Sequence, residues 1–260
     1  MDATAGTLLG GRVIYSQPAT GYRTGIEPVL LAAAVPARPG DRVLEAGTGA
    51  AAGLLCLTAR VPGLTGLGIE LDPTMAALAR QNLADNFVPG ILIDQAALES
   101  WHGHAVFDHA FANPPWHDPA GTPSPNPLRQ LAKAAATLEH WVATIAAALR
   151  PGGSATLIVP AAQTTTLLAA MRAAGLGRRT IAPLWPKPGR PAKLVLIQAL
   201  RGRRDPDRLT PGLVLHHAAG AFTPQAEAIL RSGQPWPLEP TGTPAAAPPP
   251  PSCPPPARSS

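Results

Sequence analysis

Four segments of this 260-residue chain end an apolar run on polar residues. Glu45-Ala-Gly-Thr-Gly49 closes the first, Glu70 the second, Asp94 the third and Asn113-Pro114-Pro115-Trp116 the fourth. Gly47 and Gly49 let backbone N–H groups approach a ligand closely, with a helix start behind them. The spacing is not that of a dinucleotide fingerprint, because the third glycine of G-x-G-x-x-G would fall on Ala52, and Gly53 comes one place late. An acid at Glu45, just before the glycines, suits a cation better than a pyrophosphate. Glu70 lies 21 residues after Gly49 and is placed to accept from both hydroxyls of a ribose. Asp94 is placed to take a hydrogen bond from an adenine amine. A ribose, an adenine and a positive charge together describe S-adenosylmethionine.

These residues need strands to carry them. Asp41–Ala46, Leu64–Glu70, Gly90–Asp94, Val106–Asn113 and Ala155–Val159 read as buried strands, separated by a helix that follows the glycine turn through about Arg60 and by helices over about Asp72–Asn86 and Pro127–Leu149. The last helix carries Leu128, Leu131, Ala135, Leu138, Val142, Ile145 and Leu149 on one stripe, and Pro151-Gly152-Gly153 stops it. Gln163–Ala174 reads as a further helix. Thr180–Trp185 and Lys193–Leu200 follow with no helix between them and pair antiparallel. Alternating strands and helices predict an α/β, Rossmann-like fold: a mostly parallel seven-stranded sheet with one antiparallel strand and helices on both faces. The four polar segments then meet at the carboxyl edge of the sheet, where such folds bind ligands. Residues 7–26 show no periodicity and precede a short helix at about Glu27–Val35; Leu213–His217 and Thr223–Leu230 read as a late strand and helix.

Prolines divide the chain. Of 33, eleven fall within residues 235–260. The expected organisation is one domain over 1–234, with an N-terminal segment (1–39) that closes over cofactor and substrate, a core (40–202), a C-terminal addition (203–234), and a disordered Pro/Ala-rich tail from 235 to 260. With 45% hydrophobic and 14% charged residues, wholesale disorder is excluded. No apolar run is long enough to cross a membrane as a helix, and no signal peptide opens the chain, so a cytoplasmic location is expected. Cys56 and Cys253 form neither a disulfide framework nor a metal cluster, His216-His217 lacks spaced partner ligands, and no metal or protein partner is implied. The net charge of +5 is uneven: 6 basic against 10 acidic side chains over residues 1–110, 9 against 2 over 111–200, and 6 against 4 thereafter. A basic half suits a polyanion, and equally a solvated arginine-rich surface.

The chain resembles class I S-adenosylmethionine-dependent methyltransferases over about residues 23–200. Glu45, Gly47 and Gly49 match the family's acid-x-Gly-x-Gly-x-Gly motif, with Ala51 standing where glycine is usual. By resemblance, Glu70 is the ribose-binding acid and Asp94 the acid near adenine. Asn113-Pro114-Pro115-Trp116 looks like the motif of family members that methylate planar nitrogen: adenine or guanine amines, or glutamine amides. Such a nitrogen is a poor nucleophile because its lone pair is delocalised. The resemblance implies that the Asn113 side-chain oxygen and the Pro114 carbonyl accept its two N–H bonds, while Pro115 fixes the backbone and Trp116 stacks on the base. Thr24, in Arg23-Thr-Gly-Ile-Glu-Pro-Val-Leu-Leu31, is the candidate contact at the methionine end, and Glu27 caps the helix there. That stretch is closest to the bacterial valine-tRNA adenine-N6-methyltransferases, and the likeness then runs over about residues 10–230.

The expected activity is N-methylation of an exocyclic amine, adenine N6 in tRNA, with S-adenosylmethionine as cofactor and RNA as partner. Arg129, Lys133, Arg178, Arg179, Lys187, Arg190 and Lys193 are candidates to hold phosphates. Methylation of an rRNA base or of a protein glutamine amide shares the motif. The glutamine enzymes usually carry an N-terminal helical domain, whereas about 25 residues precede this core. A non-catalytic S-adenosylmethionine-binding module is the alternative of another class, and a nicotinamide enzyme fails on glycine spacing. His117-Asp118 reads as a loop pair, since nitrogen methylation requires no strong base.

Overall fold

The computed structural model describes residues 3–20, 23–103, 105–115 and 137–238. A hairpin opens the described residues and overlaps the stretch 7–26 read as non-periodic. Strands β1 (Ala3–Leu8) and β2 (Val13–Pro18) pair antiparallel, from Leu8↔Val13 to Ala3↔Pro18. Nearly all of β1 is exposed, so it lacks the alternation that marks a half-buried strand. β2 buries Val13 and Tyr15.

The main sheet is built from β3 (Arg42–Ala46), β4 (Thr65–Glu70), β5 (Ile91–Gln95), β6 (Phe107–Ala112), β7 (Leu149–Pro160), β8 (Leu176–Trp185) and β9 (Leu194–Arg201). Their order is β8-β9-β7-β6-β3-β4-β5. Neighbours from β7 through β5 run parallel, and β9 lies antiparallel to both β7 and β8. This is the expected seven-stranded sheet with one antiparallel strand. Two-residue strands β10 (Arg208–Leu209) and β11 (Leu213–Val214) extend it along β8.

Successive strand residues serve opposite faces. Val43, Ile158 and Leu196 join one core with α1 (Glu27–Ala34), α2 (Ala52–Arg60), α3 (Pro73–Asp85) and α6 (Pro224–Ser232). Leu44, Leu157 and Ile197 join the other with α4 (Leu138–Ala148) and α5 (Thr164–Ala173). Side-chain oxygens of Asp72, Thr137 and Thr223 cap α3, α4 and α6. The expected helix over 127–149 is described only from Leu138. Chain order reverses around β3, whose neighbours are β4 and β6, and a crevice opens beyond their carboxyl ends. At the opposite edge, His109 bridges Asp41 (3.0 Å) and Ser154 (2.8 Å), tying β6 to the start of β3 and to β7. Among the described residues, no helix is long and apolar enough to cross a membrane.

The folded body does not stop at 234. Trp236 and Leu238 are buried in the same core as α1 and α6, and the Trp236 backbone N–H donates to the Ala33 carbonyl at 2.8 Å. The tail boundary at 235 is therefore corrected: low-complexity composition conceals two apolar anchors. Residues beyond 238 lie outside the described part. Trp236→Ala is expected to cost about 3–5 kcal/mol, read as a lowered urea midpoint.

Candidate cofactor and substrate site

The crevice is a cavity of about 400 Å3 at the carboxyl ends of β3, β4 and β6, a size that suits a small-molecule ligand. Its first wall is the turn between β3 and α2. Gly47 and Gly49 both adopt left-handed backbone, with φ +65° and +58°. Ala51 shares that conformation (φ +67°), which explains why glycine is usual there. A Cβ on Gly47 would lie 2.5 Å from Cη2 of Trp141, a buried cavity-lining side chain on α4.

Glu45 sits beneath this turn, 5% exposed. It accepts from the Thr48 hydroxyl at 2.5 Å and the Leu54 backbone N–H at 3.2 Å. Gly53 leaves the room: a Cβ there would meet a Glu45 oxygen at 2.1 Å. Burial pushes the Glu45 carboxyl up to about 8, against the pull of its two donors, and the charge of Glu70 adds to the rise. Glu70 is half-buried at the end of β4. One of its oxygens accepts from the Gly49 backbone N–H and the other from that of Asp72, each at 2.8 Å. The ribose-type acid and the glycine turn thus hold each other in place.

The N-terminal segment reaches the same cavity. Tyr15 and Thr24 both line it, with their hydroxyls 2.7 Å apart. Asn82 and Asn86 of α3 hold β2 as a neighbouring strand would. Asn82 bonds both the N–H (2.9 Å) and the C=O (2.8 Å) of Ser16, and Asn86 does the same at Ile14 (2.9 and 2.6 Å). Fully buried Asn82 also donates to the Ala50 carbonyl at 2.9 Å, joining the hairpin to the glycine turn.

Asn113, Pro114 and Pro115 follow β6 and line the same cavity as the carboxylates. Trp116, His117, Asp118, Arg129 and Lys133 lie outside the described residues. Asp94 is corrected: it is exposed, level with Ile69 in the β4–β5 register, and does not line the cavity. The chain runs on past β5, and Ala96, Leu98 and Glu99 line it instead. Sequence reasoning missed Glu99, Tyr15, Thr48 and Trp141. An acid four residues past the end of β5 was a usable signal for Glu99. Trp141 shares its helix face with core residues and carried no separate sign.

The lining side chains among the described residues include three carboxylates, Glu45, Glu70 and Glu99, and no Lys, Arg or His. Such a cavity favours a cation and disfavours a pyrophosphate. Among the described residues no cluster of three or more His, Cys, Asp or Glu is placed to hold a metal.

Two outcomes are expected for S-adenosylmethionine. A bound cation stabilises ionised Glu45, so binding releases a proton while that carboxyl is still protonated. Affinity then rises with pH and levels off above about 8; calorimetry in buffers of different ionisation heat reads the released proton, and Glu45→Gln abolishes it. In the ligand-free protein the sign is opposite: the raised carboxyl value stabilises the fold below 4.5, and that contribution is lost as pH rises through about 8. Gly47→Ala adds an unfavourable φ and a contact with Trp141, and is expected to weaken S-adenosylmethionine binding about tenfold or more, since ~1.4 kcal/mol is tenfold, as read by titration calorimetry.

No family model matches the chain. Curated relatives do. The chain is 26% identical over 205 residues to a tRNA1(Val) (adenine(37)-N6)-methyltransferase of Aeromonas hydrophila, covering 77% of this chain and 85% of the relative. It is 29% identical over 224 residues to that of Porphyromonas gingivalis, covering 80% and 87%. The match to the Salmonella enteritidis enzyme is 31% over 122 residues, 45% of this chain and about half (49%) of the relative. Among solved structures, a predicted O-methyltransferase from Agrobacterium tumefaciens superposes with a TM-score of 0.67 at 25% identity, covering 81% of this chain and 98% of the other. Precorrin-6y C5,15-methyltransferase from Geobacter metallireducens shares the fold at a TM-score of 0.52 and 12% identity, covering 72% and 94%. In sequence and in fold, the chain is thus similar to S-adenosylmethionine-dependent methyltransferases.

Proposed function

We propose that the protein methylates the N6 amine of an adenine in RNA, with tRNA as the substrate class. One observation carries this reading: a carboxylate-lined cavity is continuous with Asn113-Pro114-Pro115 at the end of β6. The curated relatives named for adenine N6 in tRNA support the choice of base and of RNA.

S-adenosylmethionine, when bound, supplies a methyl group on a positively charged sulfur. Glu45 and Glu70 sit on the glycine-turn side and favour that cation; Thr24 and Tyr15 line the approach from the hairpin side. Glu70 is the ribose acid, and Glu99 takes the place near adenine first assigned to Asp94. The Asn113 side-chain oxygen and the Pro114 carbonyl accept the two N–H bonds of the target amine, which draws the nitrogen toward tetrahedral geometry and aims its lone pair at the methyl. Pro114 and Pro115 restrict the backbone that presents these acceptors. Trp116 provides the stacking face. The target base leaves its stack to enter, at a cost of a few kcal/mol. No strong base is needed, because the methylated nitrogen becomes acidic. Alignment supplies most of the rate.

Asn113→Ala is expected to retain S-adenosylmethionine affinity and to lose on the order of 100-fold in methyl transfer, since misalignment alone costs that much. Tritiated S-adenosylmethionine offered with tRNA, ribosomes or cell protein in separate reactions tests the substrate. Label in protein or ribosomes and none in tRNA would defeat the tRNA reading.

A further inference from the structure

The basic half of the chain divides between the two edges of the sheet. Residues 140–204 contain ten basic side chains and no acidic one. At the amino edge, away from the cavity, arginines meet acids from elsewhere: Arg150 pairs with Asp108, and Arg179 with Asp207 at 2.8 Å. Arg178 and Arg179 sit on that side, beside the register shift near the start of β8 and short of the level of Asn113.

At the carboxyl edge the arrangement differs. The β8–β9 connection, residues 186–193, carries Lys187, Arg190 and Lys193 and no acid. Arg190 and Lys193 are exposed, and none of the three is paired with a carboxylate of the described residues. The Lys187 ammonium donates to the Ala218 carbonyl at 3.1 Å. The connection is stiff. Arg190 N–H donates to the Lys187 carbonyl at 3.2 Å, across Pro188 and Gly189 with φ +69°. Proline then glycine at the two central positions makes a tight turn that brings Lys187 and Arg190 together. Lys193 N–H donates to the Leu184 carbonyl at 3.2 Å and its own carbonyl accepts from Ala161 N–H at 2.9 Å, anchoring the third cation.

Its position is set by register. Ala112, next to Asn113, pairs with Leu157, and β7 continues to Pro160, which pairs with Leu194. The turn therefore projects about 10 Å beyond the level of Asn113, from a strand two spacings (~10 Å) away. We propose that Lys187, Arg190 and Lys193 form a rigid phosphate-binding surface that holds the RNA strand next to the nucleotide presented to Asn113. This rests on the RNA reading above and, of the five candidate cations among the described residues, keeps the three on the carboxyl edge. Fixed cations on a proline-stiffened turn hold a backbone without reading bases.

The test compares two variants of equal charge change. The near-edge variant combines Lys187→Gln, Arg190→Gln and Lys193→Gln. The control combines Arg172→Gln, Arg203→Gln and Arg204→Gln, exposed residues at the end of α5 just before β8 and past the end of β9, on the amino side of the sheet. Binding of labelled tRNA is measured against salt, with S-adenosylmethionine affinity and melting temperature alongside. Each phosphate contact contributes about 0.7 to the slope of log affinity against log salt for a single strand. The near-edge variant is expected to lose about 2 from that slope and at least tenfold in tRNA affinity at low salt, while the control, S-adenosylmethionine affinity and melting temperature stay at wild-type values. Equal losses in both variants, or none in the near-edge variant while wild type methylates tRNA, would overturn the surface alone. Wild type that methylates no RNA would overturn the RNA reading and the surface with it.

Discussion

A carboxyl group held under a turn is the constraint on which the site depends. Glu45 is taken out of water at the end of β3, and the surrounding residues accommodate it. Gly53 gives up its side chain, Thr48 turns its hydroxyl inward, and Leu54 offers the N–H that the first turn of α2 leaves over. The same turn presents Gly49 to Glu70, and Asn82 reaches its far side at Ala50. Two carboxylates and a left-handed backbone thus form one assembly. A larger residue at 47 or 53 would disturb both the cofactor pocket and its support.

Much of this was legible before any coordinates. Strands with apolar residues on both faces read clearly, and the polar residue ending each one marks the edge where ligands bind. Asp94 shows the limit of that rule. A strand end locates an edge to within a residue or two, whereas the cavity is shaped by the loop that follows, and there Glu99 is the acid that arrives. The hairpin escaped for a different reason. β1 buries almost nothing, so it has no pattern to read, and β2 is held by carboxamides that sit 66 and 72 residues later. Trp236 was hidden by the prolines around it, because composition averages over a window and burial is decided one side chain at a time.

Charge was ambiguous in sequence for a related reason. A run of 65 residues without an acid looks like a single basic surface. Folding sends alternate ends of each strand to opposite edges and brings Asp108 and Asp207 against the arginines of one of them. Among the cations of that run with no carboxylate partner in the described residues are those of a short, stiff turn on the side where Asn113 lies. Long-range pairing decides which charges are neutralised, and linear counting cannot see it.

The carboxamide ladder on β2 also bears on how the chain is made. A two-stranded hairpin is at best marginally stable alone in water. On a ribosome this hairpin emerges well before its clamps at Asn82 and Asn86, which lie 66 and 72 residues after the positions they hold. The Ser232 carbonyl that Arg12 grips at 2.8 Å comes 220 residues later. The hairpin is thus made long before the residues that secure it, and the wall that Tyr15 gives the cavity waits on chain made much later.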